Sequence, residues 1–401
     1  MKFYNLTFEK NRVNLKKKCS RQFPTVVLKY ISDTWKVSAT SENIMKILLI
    51  QTAFIGDVIL ATSLIESIYK KYPSAQIDFL LRKGNENLLQ EHPLLNEVLI
   101  WDKKNKYKSL FELIKKVRKS SYDAVLNLQR FGTTGLLTAF SNSKVKSGFK
   151  KNPFSWAFTH KYEHIITTDL FSPHEVERNS EVLESIGINE VARPKLYPSQ
   201  SDKDKIKEFI QNDFICIAPT SVWFTKQFPL HKWIDFIEKL LLNSENNKIL
   251  PQNFTIHLLG APSDAENCQK IIDTIETKLK ESNQNNLKFK VEFKIENLAG
   301  KLSLMQSAAL MEHSKLVLAN DSAPLHLASS VNAPVCAVFC STVSAFGFTP
   351  LSDKSFIVET QKELDCRPCG LHGFKNCPKG HFECAESIKT EQILEVVKSI
   401  L

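Results

Sequence analysis

The sequence predicts an α/β protein built from two Rossmann-like domains that face each other across a cleft. Apolar runs of strand length alternate with amphipathic stretches of helix length in two series, one starting at Met45 and the other at Phe214. The polar stretch 192–205, which carries Pro194 and Pro198, separates the two series and is typical of a linker. The 401 residues also exceed the ~250 to 300 that one hydrophobic core usually serves.

Each element follows from the spacing of the apolar residues. Short uninterrupted apolar runs predict buried strands, whereas apolar residues at every third or fourth position predict helices. The first series comprises strands at 46–51, 76–81, 97–101 and 123–128, with helices at 57–71 and 106–119. The second comprises strands at 214–218, 254–259, 315–319 and 335–339, with helices at 230–242, 263–280, 303–313 and 323–331. This alternation favours parallel sheets that are covered by helices.

Charge and hydropathy limit the class of protein. The formal net charge is +10, but residues 1–44 alone hold nine Lys or Arg against three acidic residues. We predict that this basic extension is disordered or not native, with Met45 as an alternative start. Nucleic-acid binding by the remaining chain is not expected, because its excess of positive charge is small. No run approaches the ~18 apolar residues of a membrane span and no secretory signal is evident, so a cytoplasmic location is predicted.

The first candidate functional loop follows the first predicted strand. It runs from Gln51 to Asp57, with Gly56 allowing a tight turn and Asp57 at the start of the next helix. This position faces the predicted cleft. The alternative interpretation is that Asp57 only caps its helix, since carboxylates favour helix N-termini. The loop lacks the spaced glycines of a dinucleotide fingerprint.

A second candidate lies between the strand at 315–319 and the following helix. The segment Asn320 to His326 has Pro324 in the first helical turn, so its free N–H groups suit a diphosphate. The hydroxyl of Ser322 adds a donor, and Asp321 and His326 are expected to point toward the cleft. A capped helix with a buried histidine is the alternative.

The third candidate is the loop from Ala218 to Pro229, which places Lys226 among aromatic residues. A cation that is shielded from water there stabilises a departing phosphate better than one in bulk solvent. The alternative is a solvated surface lysine. Because no Asp-x-Asp or His/carboxylate metal motif accompanies these loops, we expect neither a metal nor a cofactor, and leaving-group stabilisation falls on Lys226 and the helix N-terminus.

Together these loops resemble the ADP-heptose:lipopolysaccharide heptosyltransferases, an inverting family with the GT-B fold of two Rossmann-like domains. The resemblance extends from about Met45 to Leu401. Five segments match in order: 46–64 with Gly56-Asp57-Val58, 174–179 (His-Glu-Val-Glu-Arg-Asn), 218–229 with Thr225-Lys226, 298–300 (Leu-Ala-Gly) and 320–328 (Asn-Asp-Ser-Ala-Pro-Leu-His-Leu-Ala). Each segment is weakly specific alone, but the ordered set is specific.

The resemblance implies a domain organisation and a reaction. Residues 45–195 would form the acceptor domain and 206–386 the nucleotide-sugar donor domain, and a final helix at 387–401 would pack back across their junction. The chain would transfer heptose from ADP-heptose to a lipid A core acceptor, with inversion at the anomeric carbon and peripheral contact with the cytoplasmic leaflet of the inner membrane. A same-fold transferase or epimerase for another nucleotide sugar, or a non-catalytic nucleotide- or carbohydrate-binding protein, remains an alternative.

The resemblance also implies roles for individual residues. Asp57 would be the general base and Lys226 would bind the donor phosphates and stabilise the departing ADP. The segment 322–326 would hold the diphosphate, Asp321 the heptose hydroxyls and the loop 260–264 the adenosine. The predicted donor-binding residues are Thr220, Ser221, Thr225, Gly260, Asp264, Asp321, Ser322, Ala323, Leu325 and His326, and the predicted acceptor-binding residues are Gly56, Lys150 and Lys151. Structural roles are expected for Arg178 and Asn179.

Two positions depart from the family pattern. Ala323 stands where the family usually has glycine, so its methyl group could crowd the phosphate, and Thr220-Ser221 replace a more usual Gly-Ala.

Two further features concern the acceptor and the C-terminal part. The stretch 103–119 is a basic amphipathic helix that suits anionic lipid, with a solvated face as the alternative, and the loop 149–156 is basic and aromatic. Four late cysteines, Cys366, Cys369, Cys377 and Cys384, have a spacing compatible with a zinc site, but a structural staple or reduced thiols are the favoured interpretation.

Overall fold

A computed structural model describes residues 44–169, 172–247, 250–251, 253–284 and 293–401. The predicted extension 1–44 lies outside the described residues except for Ile44. Residues 45–401 form one compact unit. Within it, the described residues form two parallel sheets of six strands each, so the predicted pair of Rossmann-like α/β halves is confirmed.

The first sheet has the strand order β3-β2-β1-β4-β5-β6, and all of its pairings are parallel. Its strands are β1 (Lys46–Ile50), β2 (Gln76–Arg82), β3 (Glu97–Trp101), β4 (Ala124–Asn127), β5 (Val145–Phe149) and β6 (His160–Tyr162). The helices of this half are α1 (Ile55–Lys71), α2 (Lys106–Ser120), α3 (Gly132–Ala139) and α4 (Glu175–Ser180). The strand order reverses between β1 and β4, which is where ligands bind in open α/β sheets.

The second sheet repeats the same order as β12-β11-β10-β7-β8-β9. Its strands are β7 (Phe214–Ala218), β8 (Phe254–Leu258), β9 (Phe293–Asn297), β10 (Leu316–Asn320), β11 (Val335–Phe339) and β12 (Ser355–Glu359). The helices after α4 are α5 (Gln200–Lys205), α6 (Leu230–Asn247), α7 (Ala265–Gln284), α8 (Leu304–His313), α9 (Ala323–Ser330), α10 (Glu383–Glu386) and α11 (Thr390–Ile400). Here the order reverses between β7 and β10.

The central strands are apolar throughout because helices cover both faces of each sheet. All five residues of β7, β10 and β11 are buried, and in β1 only Lys46 is exposed. Because both faces of these strands are apolar, the pattern of side chains does not specify how neighbouring strands align. Their register is seen only in the backbone pairing of the parallel strands. Ile47 pairs with Ala124 across β1 and β4, and Ala218 pairs with Ala319 across β7 and β10.

The two halves are packed against each other through α1 and α9. Residues of both helices belong to one buried cluster that also includes strands from each half. The segment before α5 runs along this contact: the N–H of Lys195 donates to Thr62 Oγ1 of α1 (2.9 Å), and the N–H of Leu196 donates to the carbonyl of Ser330 in α9 (3.2 Å). The predicted linker is therefore packed onto both halves.

The final helix does not pack as predicted. Its apolar residues Ile393, Leu394, Val396 and Val397 are buried in the core cluster of the second half. The helix α11 contacts α6 and β12, both of which belong to that half. The prediction that it crosses the junction is wrong because its apolar face is taken up by α6.

Gly135 in α3 is in close contact with Asn152, which organises the loop after β5. The side chain of Asn152 is buried; its Nδ2 donates to the carbonyl of Gln129 (2.8 Å), and its Oδ1 accepts from the N–H of Phe154 (2.9 Å). A Cβ on residue 135 would overlap the amide of Asn152, at 2.8 Å from its Cγ.

We therefore expect Gly135→Ala to destabilise the protein by about 1–3 kcal/mol, because the added methyl displaces a buried, hydrogen-bonded amide. Gly132→Ala in the same helix is the matched control, since the nearest atom to its added Cβ lies 3.6 Å away. Thermal unfolding of both variants provides the measurement. Equal melting temperatures for the two variants would contradict the packing described.

Candidate active site

Asp57 lies in the first turn of α1, at the carboxyl end of β1. Its Oδ2 accepts a hydrogen bond from the N–H of Phe54 (3.2 Å). Burial raises the pKa of Asp57 to about 6, and the negative charge of Glu175 adds to this shift. The hydrogen bonds of the Phe54 and Asp57 backbone and the charge of Lys226 act in the opposite direction. A carboxyl with this proton affinity can exchange a proton near neutral pH, which the role of a simple helix cap does not require.

Lys226 lies across from Asp57, in a short 3-10 turn (Phe224–Lys226) after β7. Its Nζ is 2.8 Å from Oδ2 of Asp321, and both side chains are largely buried, with 14% and 8% exposed. Thr342 donates to the same Oδ2 at 2.6 Å. The structure therefore brings together the predicted pair Lys226 and Asp321 and rules out a solvated surface lysine.

Asn320 ties the two loops at the reversal point of the second sheet. Its Oδ1 accepts from the N–H of Phe228 (2.8 Å), and its Nδ2 donates to the carbonyl of Pro219 (3.0 Å). Because Asn320 ends β10 and Pro219 follows β7, these bonds fix the loop of Lys226 relative to that of Asp321. The side chain of Asn320 is fully buried, so the bonds are shielded from water.

The N-termini of α1 and α9 meet at Gly56 and His326. A Cβ on residue 56 would lie 3.0 Å from Cδ2 of His326, so only glycine fits without a shift of the imidazole. Burial lowers the pKa of His326 to about 3, which keeps the ring neutral. The contact joins the glycine predicted for acceptor binding to the histidine predicted for donor binding.

The segment that begins α9 matches its predicted position. Ser322 precedes the helix, and Ala323 and Pro324 form its first turn. Ser322 is partly exposed, and its hydroxyl donates to the carbonyl of Asn320 (3.4 Å). The start of α9 is thus open to an anion beside Lys226 and Asp321.

Two of the predicted donor-binding residues have side chains with structural contacts. Leu325 is fully buried in a small cluster with Ala218 and Phe339, because the helix turns that side chain onto the sheet. Thr225 is also buried; its Oγ1 accepts from the N–H of Phe374 (2.7 Å) and from the hydroxyl of Ser341 (3.0 Å). These side chains hold the loops that present the site, and contact of the two residues with a donor stays a prediction.

Other predicted donor residues lie on loops at the same edge of the second sheet. Thr220 and Ser221 follow β7; Thr220 is buried, and the carbonyl of Ser221 accepts from Gln227 (2.6 Å). Gly260 and Asp264 follow β8, where Oδ2 of Asp264 accepts from the N–H of Ala261 (2.7 Å) and closes the turn. Their contact with a donor remains a prediction.

The predicted acceptor lysines lie after β5, farther from the reversal point of the first sheet. Lys150 is exposed and pairs with Glu163 at 2.8 Å. Lys151 is exposed as well. The structure does not join either lysine to Asp57, so their role in acceptor binding stays a prediction.

The buried cluster of charged residues that lies next to Asp57 was not predicted from the sequence. Glu175 accepts from Nε of Arg178 (3.0 Å) and lies 3.1 Å from Nε2 of His164. Burial opposes its ionisation, but the hydrogen bonds and charges of His164 and Arg178 outweigh this and hold the pKa of Glu175 below its usual value. Arg178 also donates to the carbonyl of Phe346 in the second half (2.8 Å). This is the structural role expected for Arg178, and it links the two halves.

Sequence reasoning also missed Arg130, Thr342 and His372. Arg130 follows β4 at the reversal point of the first sheet, and its guanidinium lies 5.7 Å from the ring centre of Phe131. Thr342 follows β11 and positions Asp321. Polar residues directly after a buried strand are the signal that could have found both. For His372, which lies outside the alternating pattern, the sequence carries no such signal.

The four late cysteines are free thiols, and a zinc site among them stays a prediction. Among the described residues, no three His, Cys, Asp or Glu side chains are arranged to hold a metal ion. The thiol of Cys369 donates to the carbonyl of Cys366 (3.1 Å), and burial raises the pKa of Cys384 to about 12.

In the part of the chain that the structure describes, no helix is long and apolar enough to span a bilayer.

The raised pKa of Asp57 has a consequence for stability. A carboxylate whose folded pKa is about 6, above the unfolded value near 4, binds its proton more tightly in the folded state. Its contribution to the free energy of unfolding is therefore favourable below pH 4 and is lost as the pH rises to 6.

Asp57→Asn, which keeps an acceptor for the Phe54 N–H, should raise the free energy of unfolding at pH 7.5 by on the order of 1–3 kcal/mol. The gain should vanish at about pH 3, below both pKa values, where the carboxyl is largely protonated in both states. Chemical denaturation at the two pH values measures it. Asp213→Asn, at an exposed ion pair with Lys315, is the control; an equal gain at both pH values in Asp57→Asn would refute the assigned cause.

Comparison with known proteins identifies relatives. The profile of glycosyltransferase family 9 (heptosyltransferase) matches residues 110–372. The chain is 28% identical over 305 residues to lipopolysaccharide heptosyltransferase 3 of Escherichia coli, covering 73% of this chain and 83% of that protein. It is 25% identical to lipopolysaccharide heptosyltransferase 1 of Campylobacter coli, over 89% and 99% of the two chains.

Solved structures agree in fold. The E. coli ADP-heptose lps heptosyltransferase II superimposes with a TM-score of 0.66 at 20% identity, covering 89% of this chain and 98% of that chain. A family 9 glycosyltransferase from Veillonella parvula superimposes with a TM-score of 0.68 at 18% identity, covering 89% and 97%. At these identities the superpositions support the two-domain GT-B arrangement of the sheets.

Proposed function

Since the chain belongs to glycosyltransferase family 9, the heptosyltransferase family, we propose that it transfers heptose from ADP-heptose to the inner core of lipopolysaccharide with inversion at the anomeric carbon. The relatives named as lipopolysaccharide heptosyltransferases, which align with most of this chain, support this substrate pair. The observation that carries the proposal is that Asp57 of the first half lies within range of the charge of Lys226, which pairs with Asp321 in the second half.

In the proposed reaction, Asp57 is the general base. An acceptor hydroxyl attacks the anomeric carbon of heptose, the bond from that carbon to the diphosphate oxygen breaks, and the hydroxyl proton passes to the Asp57 carboxylate. Attack opposite the leaving group inverts the configuration. A base with a pKa of about 6 is mostly ionised at pH 7 yet retains enough proton affinity to assist the attack.

Departure of ADP needs positive charge near the diphosphate. Lys226 provides it together with the N-terminus of α9, where Ser322 and Ala323 lead into the helix. The Lys226 ammonium pairs with Asp321, so it is already positioned and needs no reorganisation when the donor arrives. Both contacts of Asp321 use Oδ2, so Oδ1 is the oxygen that a heptose hydroxyl would meet.

Asp57→Asn should lower turnover by about 10²–10⁴-fold, because the base is lost, with little change in the affinity for ADP-heptose. Lys226→Gln should weaken both turnover and ADP-heptose affinity, because it binds the ground state and the leaving group. Release of ADP in the presence of a lipid A core acceptor measures turnover, and calorimetry measures donor affinity.

The pH dependence tests the same base. At saturating ADP-heptose, the kcat/KM of the unsubstituted protein for the acceptor should rise with pH through an apparent pKa of about 6, where Asp57 loses its proton. Asp213→Asn, which is remote from both sheet reversals, should retain full turnover and the same profile. Activity of Asp57→Asn within tenfold of the unsubstituted protein would refute the base assignment.

We further propose that α2 binds the anionic surface in which the acceptor is anchored. Its apolar residues Leu110, Leu113 and Val117 are buried against the first sheet, so this face is not available for insertion into lipid. The outer face instead combines lysines with exposed Tyr107 and Phe111, which are 78% and 59% exposed. This composition suits electrostatic contact with phosphates plus shallow insertion of two rings.

The double variant Lys108→Gln/Lys115→Gln should bind vesicles of anionic phospholipid about 10- to 30-fold more weakly, since each lysine near such a surface contributes about 1 kcal/mol. Lys354→Gln/Lys389→Gln removes the same charge from the second half and should leave binding unchanged. Vesicle sedimentation at low salt is the measurement. Equal losses in the two double variants would show that only net charge matters and contradict a role for α2.

A further inference from the structure

The cysteine-containing segment after β12 folds back onto the loop of Lys226. Arg367 anchors it, donating from Nε to the carbonyl of Cys340 (2.8 Å) and from Nη2 to the carbonyl of Thr342 (2.8 Å). The N–H of Cys369 donates to the carbonyl of Ser341 (2.8 Å). These bonds hold the segment beside the residues that follow β11, one of which positions Asp321.

The turn at residues 372–374 then closes on the predicted catalytic loop. The N–H of Thr225 donates to the carbonyl of Phe374 (3.1 Å), and the N–H of Phe374 donates back to Thr225 Oγ1 (2.7 Å). Gly373 has a φ of +73° and lies so close that a Cβ there would be 2.9 Å from Cγ of Lys226. The backbone next to His372 is therefore in contact with the side chain of Lys226.

His372 is exposed and lies among charged groups from both halves. The charges of Lys226 and Asp321, from the second half, act on its imidazole, and so does that of Arg130, which follows β4 in the first half. Burial of part of the ring, and then the positive charges of Lys226 and Arg130, lower the pKa of His372, while Asp321 opposes them. Burial and the two positive charges therefore favour the neutral form of the ring.

We propose that the imidazole of His372 binds the diphosphate of the nucleotide-sugar donor beside Lys226. The inference rests on the proposed function and adds to it a donor-binding residue from outside the two Rossmann-like sheets. The turn that touches Lys226 keeps His372 within range of the charges of Lys226 and Arg130. A lysine, an arginine and an imidazole together suit a doubly negative group.

A consequence distinguishes this role from mere support of the loop. A diphosphate that enters the space between Lys226 and Arg130 offsets the two cations, and the imidazole then takes up a proton. Donor binding is therefore coupled to proton uptake, and the affinity falls as the pH rises from 6 to 8. ADP-heptose is the suitable probe, because its diphosphate, esterified at both ends, has no ionisation of its own in this range.

The test compares calorimetric titrations of ADP-heptose into the unsubstituted protein, His372→Gln, His372→Lys and the control Lys375→Gln, in buffers of different ionisation enthalpy. We expect His372→Gln to bind about tenfold more weakly at pH 6, to match the unsubstituted protein at pH 8.5, and to lose part of the proton uptake. His372→Lys should bind well at both pH values without that uptake. Lys375→Gln, in the same exposed loop, should behave as the unsubstituted protein.

The outcomes separate this inference from the proposed function. Tight binding by the unsubstituted protein, with unchanged affinity and proton uptake in His372→Gln, overturns the role of His372 and leaves the proposed function standing. Failure of the unsubstituted protein to bind ADP-heptose at either pH overturns both. Because His372 is exposed, equal melting temperatures of the variants will verify that an observed loss is not one of folding.

Discussion

The packing of α1 against α9 is the constraint on which the site depends. Each helix follows a strand at the point where its sheet reverses order, so the N-terminus of each marks the carboxyl edge of one half. Their contact is close enough that a Cβ on residue 56 would meet His326 at 3.0 Å. A side chain on residue 56 would force the imidazole of His326 to shift. Glycine therefore suits this contact between the two halves, with no need of an unusual backbone angle.

The charges around Asp57 depend on the contact between α1 and α9. Asp57 gains proton affinity because it is removed from water next to a second carboxylate, Glu175, whose own charge is retained by Arg178 and His164. Arg178 also bonds the loop at Phe346 in the other half, so the residue that keeps Glu175 ionised also holds the halves in register. Tuning of the base and docking of the domains are therefore carried by the same buried cluster.

The segment 366–384 is an addition to the Rossmann-like fold of the second half. It contributes no strand, yet it bonds Thr225 through the main chain of Phe374 and places His372 at the site. The four cysteines are part of this added segment, and Cys384 is buried in the core of the second half. Burial of Cys384 thus helps to fix one end of the segment, while the turn that contains Gly373 approaches Lys226. The segment is therefore held by apolar burial at Cys384 and by backbone contacts at the turn.

The sequence by itself determined the central strands β1, β4, β7 and β10 and the loops after them, because uninterrupted apolar runs are a strong local signal and parallel strands end at one edge. It missed the outer strands β5, β6, β9 and β12, which are shorter or only partly buried and lack such runs. Only the tertiary structure decided that Thr225 and Leu325 support the loops, that the final helix stays on α6, and that Glu175 and His372 reach the site. Those outcomes depend on contacts between residues more than 100 positions apart or on which face of a helix is covered, and no local pattern encodes either.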